Sequence, residues 1–108
     1  MSGRKRLIKL KPQAITDIRG ILKYTTIMWG AQQRTRYKKL LEQCFNKIAA
    51  NPLQGKQVRY GASRYYRYHV GRKGRHYVFY TVTEETVEVV RILHDSMDFE
   101  RHFPDDES

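Results

Sequence analysis

The sequence predicts an α+β domain in the order β-αα-βββ, an αα-hairpin packed on a mostly antiparallel sheet and closed by a short C-terminal helix. Three observations predict it. Apolar residues recur at helical spacing over residues 13–50, broken once at Gly30. From residue 62 the pattern changes to aromatic and β-branched residues in three short runs, separated by the turn-like stretches GRKG and TEET. No linker, repeat or low-complexity tract divides the 108 residues, enough for one domain (1–108) with a single modest core. Its ends, 1–4 and 104–108, are expected to be flexible.

Residues 5–10 (KRLIKL) read as a strand with Ile8 and Leu10 on one face. Pro12 suits a first helical turn, where its missing N–H had no partner anyway. Ile15, Ile18, Leu22, Thr25 and Trp29, widened by Ala14, Ile21 and Met28, mark the buried stripe of the first helix. Gly20 inside it costs about 1 kcal/mol against alanine and is expected to mark a close approach to another element. The second helix, over 31–50, carries Tyr37, Leu41, Cys44 and Ile48 on one face with Leu40 beside them, and Asn51-Pro52 stops it. Two such helices with so short a joint pack antiparallel.

The remainder is β. ASRYYRYHV (62–70) puts Tyr66, Tyr68 and Val70 on one side and Tyr65, Arg67 and His69 on the other. RHYVFYTV (75–82) is apolar on both faces, as a central strand is, and VEVVRILH (87–94) ends the sheet. Tyr66, Tyr68, Tyr77 and Phe79 are expected in the core with Arg67 and His69 opposite. The sheet face away from the helices is then expected to display arginine, tyrosine and histidine. Beyond Leu93, Asp95 or Ser96 is expected to cap a short helix over 96–102. Met97 and Phe99 tuck against the core, Asp98 pairs with Arg101 at i, i+3, and Asp95 or Asp98 accepts the N–H of His94.

The charge is unevenly placed. Residues 1–83 hold nineteen basic groups and only Asp17 and Glu42 as acids, a net of +17, whereas 84–108 carry a net of −7. Such a field repels itself in the compact state and attracts polyanions or an acidic protein. The longest apolar run, Tyr77-Val78-Phe79-Tyr80, is far short of the ~20 residues of a membrane span. The basic start has no apolar stretch of signal-peptide length after it, and Cys44 has no second cysteine to bond. A cytoplasmic protein without membrane contact is expected. No His/Cys/Asp spacing resembles a ligand set, so neither metal nor cofactor is expected.

The ordered succession Ala14, Asp17, Ile18, Ile21, Tyr24, Trp29-Gly30, then Tyr37 and Leu41, then Asn51-Pro52 with Gly55, continues through His69 and Tyr77-Val78. It closes on Val89-Val90-Arg91-Ile92-Leu93-His94, Met97-Asp98 and Arg101-His102. From Leu7 to about Phe103 this resembles the ParE branch of the RelE/ParE superfamily, the toxins of bacterial type II toxin–antitoxin pairs. The resemblance implies a toxin neutralised by direct binding of a ParD-like antitoxin. ParE-type toxins act on DNA gyrase, stabilising its cleaved-DNA complex, whereas RelE-like toxins cut messenger RNA in the ribosome. The fold is common to both and does not choose between them.

RNA cleavage through the 2′-hydroxyl needs a base, an acid and cations for the developing phosphorane charge. Cations abound at Arg59, Arg64, Arg67, Arg72, Lys73, Arg75 and Arg91, and imidazoles stand at His69, His76, His94 and His102. From 43 to 83 there is no carboxylate, and the chain closes on an acidic DDES where RelE-like nucleases often place a tyrosine or histidine. These absences weigh against a nuclease, and the resemblance then implies a gyrase-binding toxin with no catalytic residue. The alternative is a ribosome-dependent mRNA endoribonuclease, and a third reading is an inert member that merely binds nucleic acid. Target contacts are expected at Arg59, Arg67, Arg91, His94 and Arg101, and antitoxin contacts at Arg64, Arg72, Arg75 and Tyr77. Residues 60–80 interleave tyrosine and arginine, which suits a nucleic-acid platform and equally suits tyrosines buried against the helices with only their hydroxyls wet. Nucleic-acid contact through the gyrase–DNA complex follows from the first reading.

Overall fold

Pro12 opens the first helix as its chemistry suggests: α1 spans Pro12–Trp29, and after Gly30, at φ 94°, α2 spans Ala31–Ala50. The computed structural model describes residues 5–103, so the expectation for 1–4 and 104–108 lies outside the described residues. Five strands follow the chain as β1 (Leu7–Leu10), β2 (Lys56–Tyr60), β3 (Ser63–His69), β4 (His76–Val82) and β5 (Thr86–His94). They lie in the order β1-β5-β4-β3-β2, antiparallel except where β1 pairs in parallel with β5. The sheet thus has one strand more than expected. Strand β2 is the extra one, an edge strand that buries little and so lacks a strong apolar pattern.

The helix hairpin covers one sheet face. Tyr37, Leu41, Cys44 and Ile48 of α2 and Ala14 and Leu22 of α1 are buried against Val70, Val78, Tyr80, Val87, Val89 and Ile92. The second-helix stripe is as expected; the first is narrower. Ile15, Met28 and Trp29 are exposed, Trp29 by 69%. The stripe Ala14, Ile18, Ile21, Leu22 packs into the core and Thr25 is buried as expected, while Tyr24 and Trp29 in the last turns of α1 border open space. Gly20 is likewise no contact point: a Cβ built there meets nothing within 4 Å.

The opposite sheet face is not an open display. Tyr77 and Phe79 point to it, because Arg67 and His69 of β3 stand across from them, while Val78 and Tyr80 face the helices. A strand apolar on both faces leaves that parity open in the sequence. Phe79, Leu93 and Phe103 form a second small core, with Phe103 packed 4.6 Å from Tyr65, 5.0 Å from Tyr60 and 5.1 Å from Phe79, ring to ring. The segment 99–103 is thus a clasp over the sheet. It is a 3₁₀ turn, Phe99–His102, and not the longer helix expected over 96–102. Its cap position is Asp98, which makes no side-chain cap bond, and neither Asp95 nor Ser96 serves as cap. Phe99 packs inward as expected but Met97 is 43% exposed, since the anchor of the clasp is Phe103.

Candidate functional site

Where β1 ends at Leu10, β5 runs on to His94 with a bare edge, and α1 passes beside it. Asp17 fills that position. Its Oδ2 accepts the Ile92 backbone N–H at 2.9 Å and Arg91 Nε–H at 2.8 Å, and its Oδ1 accepts Arg91 Nη2–H at 2.9 Å. The two side chains are only 13% and 18% exposed. Just before it β5 bulges: Phe79 stands across from Arg91 but Tyr80 from Val89, so Val90 is the extra residue. A bulge re-aims the side chains beyond it. Hydrogen bonding to Asp17 raises Arg91 above its ordinary pKa, partly opposed by burial.

This ion pair lies in a groove of about 790 Å³ between α1, the start of α2, the 71–75 turn and the end of β5. Gly74 lets the turn close, because a Cβ there would collide with the Val70 carbonyl. Deeper in, the Tyr37 hydroxyl lies 2.7 Å from His76 Nδ1. Burial pushes Tyr37 up to about 12, so its hydroxyl keeps its proton and donates to the imidazole. His76 is held down to about 4, first by burial and then by neighbouring His94, and its N–H is assigned to Nε2. His94 stands across from His76 in the β4–β5 register, rings edge to face at 5.2 Å. The backbone N–H of Ser96 donates to His94 Nδ1 at 3.1 Å and the Ser96 hydroxyl lies 2.7 Å from the same atom. Ser96 supplies the hydrogen bonds of His94 Nδ1. Of the two aspartates expected there, Asp95 stands beside it, its Oδ1 3.4 Å from that nitrogen while its Oδ2 accepts Arg75 Nε–H at 3.2 Å, and Asp98 pairs with Arg101 instead.

The rim is apolar. Tyr24, Trp29 and Met97 line the groove, with Tyr24 61% exposed, and Gly20 leaves space on the α1 wall. Lys73 and Arg75 stand at the mouth. Ionisable groups within the floor are already paired, and large apolar side chains around it are not.

The expected contact residues do not converge. Arg91, His94 and Arg75 line the groove. Arg59 and Arg64 face each other on β2 and β3, and β2 lies three strand steps from β5, about 14 Å. Arg67 lies over the Tyr77 ring at 4.8 Å and Phe99 at 5.7 Å, on the clasp side. Arg101 is exposed and reaches Asp98 at 4.0 Å, the i, i+3 pair expected. Arg72 lines a second cavity of about 300 Å³ with Lys47, Cys44 and His69. There burial pushes the Cys44 thiol up to about 12, and His69 Nδ1–H donates to the Gly71 carbonyl at 2.7 Å. Asp17, Tyr37 and His76 were missed as groove residues. One signal was available: Asp17 is one of two acids in the first 83 residues, and an acid so isolated is expected to have a partner. No group of three or more His, Cys, Asp or Glu able to hold a metal occurs among the described residues, and no described helix is long and apolar enough to cross a membrane.

The architecture is a helix hairpin laid on one face of a five-stranded, mostly antiparallel sheet. A chain of the chromosomal ParDE TA system from P. aeruginosa superposes with a TM-score of 0.67, covering 83% of this chain and 96% of its own, at 12% identity; that likeness concerns the fold. In sequence, the family model of the ParE toxin of type II toxin-antitoxin system, parDE, matches residues 8–99. Toxin ParE1 of Mycobacterium tuberculosis is 35% identical over 97 residues, 86% of this chain and 93% of the relative. Toxin ParE of Escherichia coli is 38% identical over 92 residues, 82% and 84% of the two chains. This chain belongs to the ParE toxin family of type II toxin–antitoxin systems.

Proposed function

We propose that this toxin works by occupying DNA gyrase and holding its cleaved-DNA complex, without breaking a bond itself, and that a ParD-like antitoxin silences it by filling the groove. The target comes from the resemblance to ParE-type toxins. The observation that carries binding over catalysis is the pairing of the groove floor. Asp17, the one carboxylate bonded into that floor, accepts three hydrogen bonds from Arg91 and Ile92, His76 is tied to Tyr37, and His94 to Ser96. A general base held in a bidentate ion pair is a poor proton acceptor.

The apolar rim supports the antitoxin. Exposed large apolar side chains gathered round a groove mark an interaction site, and aromatic residues such as Trp29 and Tyr24 are the usual anchors of such contacts. A segment that folds on binding, apolar towards Trp29, Tyr24 and Met97 and acidic towards Lys73 and Arg75, matches the chemistry. Exposed cations outside the groove, Arg101 among them, are left to the target.

Purified gyrase and relaxed plasmid test the proposal. Supercoiling falls as toxin is added and returns when the antitoxin is supplied. Primer extension on ribosome-bound messages shows no toxin-dependent stops. Codon-positioned stops with unimpaired supercoiling establish the nuclease instead.

A further inference from the structure

The β2–β3 hairpin carries an arrangement that the fold does not need. Its ladder sets Arg59 directly across from Arg64, and Lys56 directly across from Arg67. Like charges on opposed positions destabilise a strand pair, and none of the four makes an ion pair among the described residues. Arg67 is accommodated over Tyr77 and Phe99. Arg59 and Arg64 are both exposed. Moreover, β3 pairs with β4 only from Tyr66 onward. Although β4 runs on to Val82, residues 58–65 pair only with each other, with the arginine pair beside the turn at 61–62.

We infer that this hairpin is a contact for the phosphate backbone of duplex DNA, made by Arg59 and Arg64 together. Guanidinium forks match phosphate oxygens in a bidentate manner, and the two opposed arginines stand close enough to meet one phosphate ridge. Single strands are disfavoured because the aromatic faces that would stack on bases are occupied. Tyr66 stacks on Tyr80 at 5.5 Å, Tyr60 and Tyr65 pack on Phe103, and Tyr77 lies beneath Arg67. Without stacking a single strand offers the hairpin only its charge. An acidic peptide adding to the β2 edge is disfavoured by reach. It would lie in the sheet plane beside Arg59, with Arg64 two strand spacings away, about 10 Å, whereas a phosphate ridge laid across the hairpin meets both. The contact is to backbone, so it carries no sequence preference of its own.

This inference is independent of the gyrase reading: a toxin that binds DNA but spares gyrase retires that proposal and leaves this one. The test is fluorescence anisotropy of the full chain with a short labelled duplex over a range of salt. R59A and R64A each weaken binding, and the double variant reduces the slope of log affinity against log salt by about two, one per lost phosphate contact. K38A/K39A, a charge-matched change on the exposed face of α2, leaves the slope as it was. Removing an opposed like-charge pair leaves the melting temperature unchanged or raises it. An unchanged slope in the double variant, an equal loss with K38A/K39A, or tighter binding of the single strand overturns the inference. So does an R64A variant that binds as well as the parent, or a lowered melting temperature in R59A/R64A.

Discussion

Asp17 on α1 and Arg91 on β5, 74 residues apart, are joined by two hydrogen bonds of 2.8 and 2.9 Å, and the same carboxylate takes the Ile92 N–H at the strand's bare edge. One side chain thereby ties the first helix to the last strand and satisfies a backbone donor that β1 is too short to reach.

Removing one member of this pair leaves a largely buried charge without a partner. Asp17→Ala is expected to lower unfolding stability by about 3 kcal/mol, the usual loss for a broken buried pair. Asp17→Leu with Arg91→Met together lose less than the sum of the singles, because no charge is then stranded. Urea unfolding of the parent, Asp17→Ala, Asp17→Leu, Arg91→Met and the double variant measures both statements; additive losses would mean that the two residues act separately.

His76 makes stability depend on pH. Its pKa falls from 6.5 to about 4, chiefly through burial, then through His94 and, more weakly, Arg75; Asp95 and Asp17 pull the other way. Between those values the unfolded chain holds more protons than the folded one, so stability rises as pH climbs through the window and is lost as pH falls. For a partly exposed ring the loss is on the order of 1–2 kcal/mol after solvent screening. His76→Gln keeps an acceptor for Tyr37 and removes the titration. Unfolding midpoints measured from pH 4 to 7 therefore converge for parent and variant towards acid, and parallel curves would contradict the assignment.

The groove separates folding from binding. Gly20→Ala adds a methyl group that meets nothing within the chain and is expected to stabilise the free toxin by about 1 kcal/mol, while weakening the antitoxin where it crosses α1. Trp29→Ala changes stability by no more than about 0.5 kcal/mol but lowers antitoxin affinity more than about tenfold, as an anchor residue does. Melting temperatures and calorimetric titration report the two effects. Unchanged affinity in both variants would place the antitoxin elsewhere.

Phe103 holds the clasp. Phe103→Ala removes a ring that is 6% exposed and packed on Tyr60, Tyr65 and Phe79. A loss of about 3 kcal/mol is expected, with increased dye binding to the uncovered sheet face. A variant as stable as the parent would mean that the clasp contributes nothing to folding.

How much of this was readable beforehand depends on sequence distance. Tyr37, Leu41, Cys44 and Ile48 announce their helix face by spacing alone, and β3, β4 and β5 by their residue types and turns. Strand β2 escaped because Lys56–Tyr60 lies at an edge, where only Val58 and Tyr60 are partly buried. The assignment of Tyr77 and Phe79 to the helix side failed because a two-faced apolar strand has no readable parity. Trp29 fits the helical stripe but borders a groove, and periodicity does not distinguish a residue facing the core from one facing a partner. For the site, Arg91 and His94 were singled out, yet Asp17, Tyr37 and His76 join them only through the tertiary fold.

Trapping of gyrase on DNA bears most directly on the central claim. Gyrase, plasmid and ATP are incubated with increasing toxin, denatured with detergent, and the DNA resolved on a gel. Linear DNA accumulating in proportion to toxin, with ribosome-bound messages left intact in a parallel reaction, is the predicted result. Plasmid that stays uncleaved and fully supercoiled while those messages are cut would contradict it.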